Sequence, residues 1–558
     1  MPRHHSADPP NERFEQPTAA LSPRSTEKDQ FVRAFPKRRL ATWAAAVIAP
    51  VLLFGAGASA VAQADSKGDG RGGDPVVQSR NGLVRGDATK QFDQFLGLPY
   101  AAPPVRDLRF APPAAPESWR GIRSADQQAP ACLQFEPTGI REEQAVSEDC
   151  LYLDVYRPSK VAKNAKLPVM LWFHGGGHTQ GTGVIYGGGT MAAKTDTIIV
   201  SINYRLGALG FLAHPALSEV TEGGSGNYGR MDQLASMKWV RDNIANFGGD
   251  RNNVTIYGQS AGGQGVCDMM AMPAAKGLFH KAIVQSQQCL ATRNTLAVGE
   301  QRGVGFAESV GCTDAATVVN CLRAAWPGKL VANQANYLGN SKVGGSLLPK
   351  SFADAFADGT WNKVPVMSGT TRSESRLTET ALAGITAQGY VDTIKREYGE
   401  KADRVLEAYP LSKFKSPWDA ITQVHTDAGR ACQTEQAARV ISTKTPLYRY
   451  EFNDPTSPTL YGFRVPGEDV SNGHSGELAY LFDFTLGERP LTAQQEKLSD
   501  QMMRYWGAFA HDGNPNYRGA PSWPTYGGDE NVMQLRTGGA SRVINTFAAE
   551  HNCGLWLS

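Results

Sequence analysis

The chain lacks the short motifs that mark phosphate and metal sites. It has no glycine-rich loop ending in Lys-Ser or Lys-Thr, no HExxH, no CxxC and no histidine-rich tract. A nucleotide-phosphate loop and a zinc site need such groups of donors, so the sequence supports neither kind of site. We therefore expect no metal ion and no other cofactor.

The chain also has little net charge and no internal repeat. Lys and Arg number 56 and Asp and Glu number 54, which gives a formal net charge of +2. Because nucleic-acid binding usually needs a basic surface, we expect no nucleic-acid partner. The 558 residues are 41% hydrophobic and 20% charged, which is typical of a globular protein. This length fits either several domains or one large α/β unit with long insertions.

The longest apolar run near the N-terminus is too short for an ordinary membrane span of about 20 residues. The run extends from Leu40 to Phe54 and contains Pro50. Lys37-Arg38-Arg39 precedes it, and two A-x-A tripeptides follow it, Ala58-Ser59-Ala60 and Ala62-Gln63-Ala64. This pattern is typical of an export signal, and a retained N-terminal anchor is the alternative.

The composition divides the chain into three parts. We predict an export signal and N-terminal extension over 1–64, cleaved near Ala60 or Ala64, and a flexible Gly-rich linker over 65–75. Residues 76–558 are predicted to form a single large globular domain. The mature chain is then secreted and has no stable membrane span.

The pentapeptide Gly258-Gln259-Ser260-Ala261-Gly262 fits the pattern G-x-S-x-G. Val254 to Tyr257 predicts a buried strand before it, and Ala261 to Met272 can form a helix after it. Strand, sharp turn and helix are the context of a nucleophile elbow, which would expose Ser260 Oγ at the helix N-terminus. Because Gly and Ser are common in turns, a plain β-to-α turn is the alternative.

A second glycine-rich segment follows another apolar run. Leu167 to Phe173 predicts a strand that is buried on both faces, and it leads directly into His174-Gly175-Gly176-Gly177-His178. Three adjacent glycines let a backbone approach a ligand with its N–H groups pointing inward. A hairpin or linker is the alternative, although linkers do not normally follow such a strand.

Further apolar runs alternate with amphipathic segments. Such alternation predicts an α/β fold with a large, mostly parallel central sheet flanked by helices. The predicted strands are Thr197 to Ile202, Ala282 to Gln285, Val364 to Met367 and Leu447 to Phe452, and the predicted helices are Arg230 to Phe247 and Leu498 to His511.

Taken in order, these motifs resemble the type B carboxylesterase and cholinesterase family of α/β-hydrolases. The resemblance covers nearly all of the chain from Val76 onward and implies an α/β-hydrolase fold with a serine nucleophile. Besides the two glycine-rich segments, it rests on Gly97-Leu98-Pro99-Tyr100-Ala101, Ser147-Glu148-Asp149-Cys150-Leu151-Tyr152-Leu153, Gly226-Asn227-Tyr228-Gly229 and Phe247-Gly248-Gly249-Asp250.

A serine nucleophile needs two partners. A histidine must accept its proton, and a carboxylate must orient that histidine. In this fold the three follow one another as Ser, acid and His. The resemblance implies Ser260, Glu374 and His474, with Glu379, by default a surface charge, as the rival acid.

The resemblance also implies supporting roles. The backbone N–H groups of Gly176, Gly177 and Ala261 correspond to the oxyanion hole of the family. Ser286 resembles a serine that supports the catalytic network, although a structural turn residue is an equally good interpretation.

Two departures from the family affect the expected substrate. Gln259 stands where the family usually has Glu, which removes a negative charge beside the nucleophile. The segment between Cys132 and Cys150 contains no Trp or Tyr, whereas cholinesterases have a choline-stacking Trp there. Both points argue against a choline ester.

The eight cysteines of an exported chain suggest disulfides. The resemblance implies the pairs Cys132–Cys150, Cys312–Cys321 and Cys432–Cys553. Cys267 and Cys289 remain, either as a fourth pair or as buried thiols.

The function implied is that of a secreted serine carboxylesterase, whose partners are a small ester and water. A lipase acting on long-chain acylglycerols, or an amidase, would use the same residues. A non-catalytic interaction module is the alternative from another class, but such relatives typically lose a catalytic residue, and all candidates are present here.

Overall fold

The computed structural model describes residues 73–134, 145–162, 164–334, 340–459, 464–483 and 490–558. The predicted export signal and most of the predicted linker lie outside these residues. Over the described ranges, no helix combines the length and apolar character that a membrane crossing requires.

The described strands build one large sheet and three small ones. In chain order they are β1 (Val76–Ser79), β2 (Gly82–Arg85), β3 (Asp87–Ala88), β4 (Phe92–Pro99), β5 (Ile122–Ser124), β6 (Ala131–Cys132), β7 (Val146–Ser147), β8 (Tyr152–Pro158), β9 (Leu167–Phe173), β10 (Ile198–Ile202), β11 (Gly249–Gln259), β12 (Lys281–Gln285), β13 (Asn294–Thr295), β14 (Lys342–Val343), β15 (Val366–Thr371), β16 (Leu447–Phe452), β17 (Val532–Leu535) and β18 (Arg542–Ile544).

The described α-helices alternate with the strands or form insertions between them. They are α1 (Gly189–Thr195), α2 (Gly207–Phe211), α3 (Pro215–Glu219), α4 (Tyr228–Asn243), α5 (Ala261–Ala271), α6 (Leu296–Ser309), α7 (Val318–Ala324), α8 (Pro327–Ala332), α9 (Phe352–Ala357), α10 (Ala387–Tyr398), α11 (Ala402–Ala408), α12 (Pro417–Thr426), α13 (Cys432–Ile441), α14 (Ala493–Asp512), α15 (Phe547–Glu550) and α16 (Cys553–Trp556).

The large sheet has eleven strands in the order β18-β17-β16-β15-β12-β11-β9-β10-β8-β4-β3. The block from β10 to β17 is parallel throughout, and the antiparallel pairs lie at the two edges. The predicted α/β fold with a mostly parallel sheet is therefore confirmed. Because parallel strands end at the same edge, the residues after β9, β11 and β15 are brought to one side of the sheet.

Strand β9 shows how the core forms on both faces of the sheet. Its side chains alternate between two apolar clusters, so that Leu171 packs with α4 and α5 while Trp172 packs with α1 and α14. Both side chains are fully buried. Burial of such a side chain stabilises the fold by roughly 1.5–3 kcal/mol, which explains why a continuous apolar run occupies this position.

All eight cysteines form disulfides. The three pairs that the resemblance implies, Cys132–Cys150, Cys312–Cys321 and Cys432–Cys553, are present. The sequence left open whether Cys267 and Cys289 pair. They form a fourth disulfide, which links α5 to the segment after β12.

Candidate active site

Ser260 occupies a strained turn between β11 and α5. Its backbone has φ 54° and ψ −119°, a conformation that L residues rarely adopt, and its N–H donates to the carbonyl of Gln285 at 2.9 Å. A Cβ atom at Gly262 would lie 1.9 Å from the carbonyl oxygen of Phe173, so only glycine fits there. The serine side chain remains half-buried at the N-terminus of α5.

His474 and Glu374 come together from two loops at the same edge of the sheet. His474 Nδ1 lies 2.5 Å from Glu374 Oε2, and the His474 N–H donates to the Glu374 carbonyl at 3.2 Å. Glu374 Oε1 accepts the N–H of Thr371, the last residue of β15, at 2.8 Å. The carboxylate is thus held by the strand end while its other oxygen orients the imidazole ring.

The surroundings set the charge of both groups. Burial would raise the pKa of Glu374, but His474 and the Arg430 guanidinium outweigh this effect and lower it to about 2. Burial, with a further contribution from Arg430, lowers the pKa of His474, and Glu374 opposes the change. At neutral pH the pair is therefore a carboxylate beside a neutral imidazole, which is the state that can accept a proton.

The second ring nitrogen of His474 contacts the residue before the serine. Gln259 Nε2 lies 3.1 Å from His474 Nε2, and Gln259 is buried. In the described part of the chain, the hydrogen bonds of His474 join it to Glu374 and Gln259, and none joins it to Ser260 Oγ. Catalytic hydrogen bonds are often long or incomplete in the absence of substrate.

The glycine-rich segment after β9 lies against the start of α5. Gly176 and Gly177 have φ of 105° and 63°. His178 Nε2 lies 3.1 Å from the carbonyl oxygen of Ala261 and 2.7 Å from Arg230 Nη2, so His178 connects the segment to α5. Burial, and then Arg230, hold the pKa of His178 well below its usual value, so the ring is neutral at neutral pH.

The other residues singled out in the sequence also have defined contacts. Ser286 is fully buried with φ 52°, and its N–H donates to the carbonyl of Gly369 at 2.8 Å. Glu379 Oε1 lies 3.2 Å from His425 Nδ1, so its described ion pair is away from His474.

Two titratable groups near the pair were not among the predicted site residues. Arg430 Nε lies 4.0 Å from Glu374 Oε2, and no local pattern marks an arginine in a helical insertion as part of a site. Glu477 is fully buried three residues after His474 and accepts from Gln285 Nε2 at 3.1 Å. Burial, and then the charge of Glu374, raise the pKa of Glu477 to about 8, so it is largely protonated at neutral pH.

Known proteins resemble this chain over most of its length. The model of the Carboxylesterase family matches residues 73–556. A pyrethroid hydrolase, Ces2a, of Mus musculus is 33% identical over 499 residues, which cover 83% of this chain and 88% of the mouse protein. A fumonisin B1 esterase of Sphingopyxis macrogoltabida is 33% identical over 466 residues, which cover 81% and 84%.

A solved structure of a PNB esterase has the same fold. It superposes with a TM-score of 0.72 at 29% sequence identity, covering 87% of this chain and 100% of that protein. The α/β-hydrolase fold and the esterase relatives together identify the reaction as hydrolysis of a carboxylic ester. The chain therefore belongs to the carboxylesterase family.

Proposed function

We propose that Ser260, His474 and Glu374 hydrolyse esters in two acyl-transfer steps. His474 Nε2 takes the proton of Ser260 Oγ as this oxygen attacks the ester carbonyl carbon. The tetrahedral intermediate collapses, and the alcohol leaves with the proton from His474. A water molecule, activated by the same ring, then attacks the acyl-enzyme and releases the acid.

The backbone N–H groups of Gly176, Gly177 and Ala261 stabilise the negative oxygen of each intermediate. Removal of one such donor typically costs about 3 kcal/mol of transition-state stabilisation. Glu374 stays ionised and stabilises the imidazolium that forms in each step. Ser286 supports the arrangement through its backbone hydrogen bond to Gly369, whereas the Gln259 amide moves away from His474 Nε2 when this nitrogen takes the serine proton.

The observation that carries this proposal is the 2.5 Å contact between His474 Nδ1 and Glu374 Oε2. It fixes the tautomer in which Nε2 is free to accept a proton, and the Gln259 contact places that nitrogen beside the residue that precedes Ser260. If Glu374 and His474 formed only a structural ion pair, nothing would require a strained serine directly after Gln259, the residue that contacts the ring.

The test is hydrolysis of a soluble nitrophenyl ester by the wild type, the Ser260→Ala variant and a matched surface variant, Ser309→Ala. We expect Ser260→Ala to lose activity and to resist labelling by an organophosphate, whereas Ser309→Ala keeps both properties. Activity retained by Ser260→Ala would refute the assignment. Emulsified triglyceride in the same assay distinguishes a lipase from an esterase.

We further propose that the mature protein is a single catalytic domain over 76–558 that acts outside the cell. Four disulfides support an oxidising compartment. Expression of the full chain in an exporting host, followed by N-terminal sequencing of the secreted protein, tests this directly. We expect a new N-terminus just after Ala60 or Ala64 and full activity; an active protein retained in the cell with an intact N-terminus would contradict it.

A further inference from the structure

Arg430 lies on a π-helical turn, Asp427–Ala431, between α12 and α13. Single π-helical turns within α-helices frequently occur at functional sites. The guanidinium of Arg430 contacts two residues of the proposed site, Ser286 and Glu374. Nη1 donates to the carbonyl of Ser286 at 2.8 Å, and Nε lies 4.0 Å from Glu374 Oε2.

The oxygen that faces Arg430 is the one that contacts the imidazole. Glu374 Oε2 therefore lies between His474 Nδ1 and a permanent cation. Its partner, Oε1, is held by the N–H of Thr371. A carboxylate with both oxygens engaged in this way cannot rotate away from the ring without losing charge-assisted contacts.

Residues outside this turn, two of them near the C-terminus, also hold it in place. His551 Nδ1 lies 2.5 Å from Asp427 Oδ1, at the start of the turn, and Tyr409 donates to Asp427 Oδ2 at 2.8 Å. Directly after the turn, Cys432 is bonded to Cys553. We refer to His551 and Cys553 together as the C-terminal clamp.

We propose that Arg430 is a positioning residue that holds Glu374 against His474, and that the C-terminal clamp fixes the turn from which Arg430 reaches it. This inference rests on the proposed function, since it concerns the orienting acid of the same triad.

The arrangement has a consequence for the proton affinity of His474. Over the described residues, the groups that interact electrostatically with His474 or Glu374 include Arg430, Glu477 and Tyr450. Glu477 is largely neutral at pH 7, and burial raises the pKa of Tyr450 so that it is neutral as well. Arg430 disfavours the imidazolium, whereas Glu374 favours it. Without the guanidinium, His474 would keep its proton to a higher pH, so the acidic limb of the rate profile would move upward.

The experiment measures kcat and KM for a soluble nitrophenyl ester across pH 4–9. It compares the wild type with Arg430→Gln, Arg430→Lys and a matched control, Arg251→Gln, which replaces an exposed arginine on β11. For Arg430→Gln we expect kcat to fall about tenfold because the acid is held less well, with KM nearly unchanged. We also expect the acidic limb of kcat/KM to move to higher pH. Arg251→Gln should behave as the wild type.

Arg430→Lys separates charge from geometry. The ammonium keeps the positive charge but cannot contact Ser286 and Glu374 in the same two-point manner. We expect kcat to fall while the acidic limb stays in place. An unchanged kcat or a displaced limb in this variant would overturn the proposal, even where Arg430→Gln fails to fold.

The clamp is tested by a double-mutant cycle. His551→Gln should lower kcat in the wild type but add little in the Arg430→Gln background, because both changes act through one contact. If His551→Gln does not fold, Cys432→Ser with Cys553→Ser takes its place. Purely additive losses would refute the role of the clamp.

The outcomes also separate this inference from the proposed function. Arg430→Gln with wild-type kcat and an unmoved acidic limb refutes the positioning role, as does a lower kcat with an unmoved limb. Activity that survives Ser260→Ala refutes the triad itself.

Discussion

Gln259 gives the proposed catalytic histidine a neutral neighbour. Its amide lies 3.1 Å from His474 Nε2, the nitrogen that takes the serine proton in the proposed mechanism. A carboxylate at this position would add a negative charge next to the site, which would favour both an imidazolium and a cationic substrate.

The variant Gln259→Glu should therefore shift specificity toward cationic alcohols. We expect the ratio of kcat/KM for a choline ester to that for its uncharged isosteric ester to rise, and the rise to shrink with added salt. The neutral ester serves as the internal control for any general damage to the site. A ratio equal to that of the wild type at low ionic strength would contradict the argument.

Glu374 and Glu379 offer a matched pair for testing the orienting acid. The carboxylate of Glu374 contacts His474, whereas that of Glu379 contacts His425. We expect Glu374→Gln to lower kcat by about 10⁴-fold, as loss of the orienting carboxylate does in serine hydrolases generally, with a small effect of Glu379→Gln. Comparable losses in both variants, measured with the same nitrophenyl ester, would show that Glu374 has no special role.

Strand ends and the turns after them determine where the reacting groups meet. The segment after β9 and the start of α5 carry the three proposed oxyanion donors, and His178 joins the two segments. The precision of this arrangement depends on backbone conformations that side chains would disturb. Glycine is required to different degrees at neighbouring positions.

Gly176 and Gly177 differ in what an added methyl group would meet. At Gly176 it would lie 2.1 Å from the carbonyl oxygen of Gln180, a backbone atom, whereas at Gly177 the nearest atom is Thr179 Oγ1 at 3.7 Å. Both residues have positive φ, so both substitutions carry backbone strain. We expect Gly176→Ala to lower kcat by about 100-fold or more, the equivalent of one lost oxyanion donor, and Gly177→Ala to lower it less. The reverse order in kcat at saturating ester would mean that steric fit does not govern this segment.

The positions of the buried strands could be predicted from the sequence, but several of their ends could not. The strand predicted over Val364 to Met367 is observed over Val366–Thr371, and the one predicted over Val254 to Tyr257 is observed over Gly249–Gln259. Contacts between distant insertions could not be predicted at all.

Leu167–Phe173 and Leu447–Phe452 were predicted with their observed ends. The first is a continuous apolar run, and the second carries aromatic residues at alternate positions, Tyr448, Tyr450 and Phe452. The predicted helix Arg230 to Phe247 instead begins at Tyr228 and ends at Asn243, and a 3₁₀ turn, Ile244–Phe247, follows it. Apolar spacing does not distinguish these two helical forms over four residues.

Local sequence patterns also predict only part of the candidate site. The glycine pattern points to Ser260, because sterics leave few other uses for such spacing. His474 and Glu374 came from the resemblance, since a loop histidine and a loop glutamate carry no periodic signal. The turn that carries Arg430 contacts His551, which is 124 residues further along the chain than Asp427, and local sequence does not encode such contacts.

The whole molecule combines one rigid sheet with insertions that are tied down by covalent bonds. The disulfides close chain segments of very different length, from 9 residues for Cys312–Cys321 to 121 for Cys432–Cys553. A disulfide stabilises mainly by restricting the unfolded chain, and the restriction grows with the length of the closed loop. The longest loop is also the one that anchors the C-terminus beside the candidate site.

Removal of the two bonds should therefore have unequal effects on stability. In the chain-entropy picture, the Cys432–Cys553 loop of 121 residues contributes about 2 kcal/mol more than the Cys312–Cys321 loop of 9 residues. We expect the double variant Cys432→Ser with Cys553→Ser to lose about 2 kcal/mol more free energy of unfolding than Cys312→Ser with Cys321→Ser. Urea denaturation measures both losses, and the dependence of the unfolding free energy on urea concentration is compared between the variants. The second double variant is the matched control, because it also replaces two half-cystines by serine. Equal losses would mean that native-state packing around each bond, rather than loop length, sets its contribution.

Since Cys432 directly follows the turn that carries Arg430, the variant Cys432→Ser with Cys553→Ser should also lose activity at urea concentrations below those that unfold it. The control, Cys312→Ser with Cys321→Ser, should keep its activity until it unfolds.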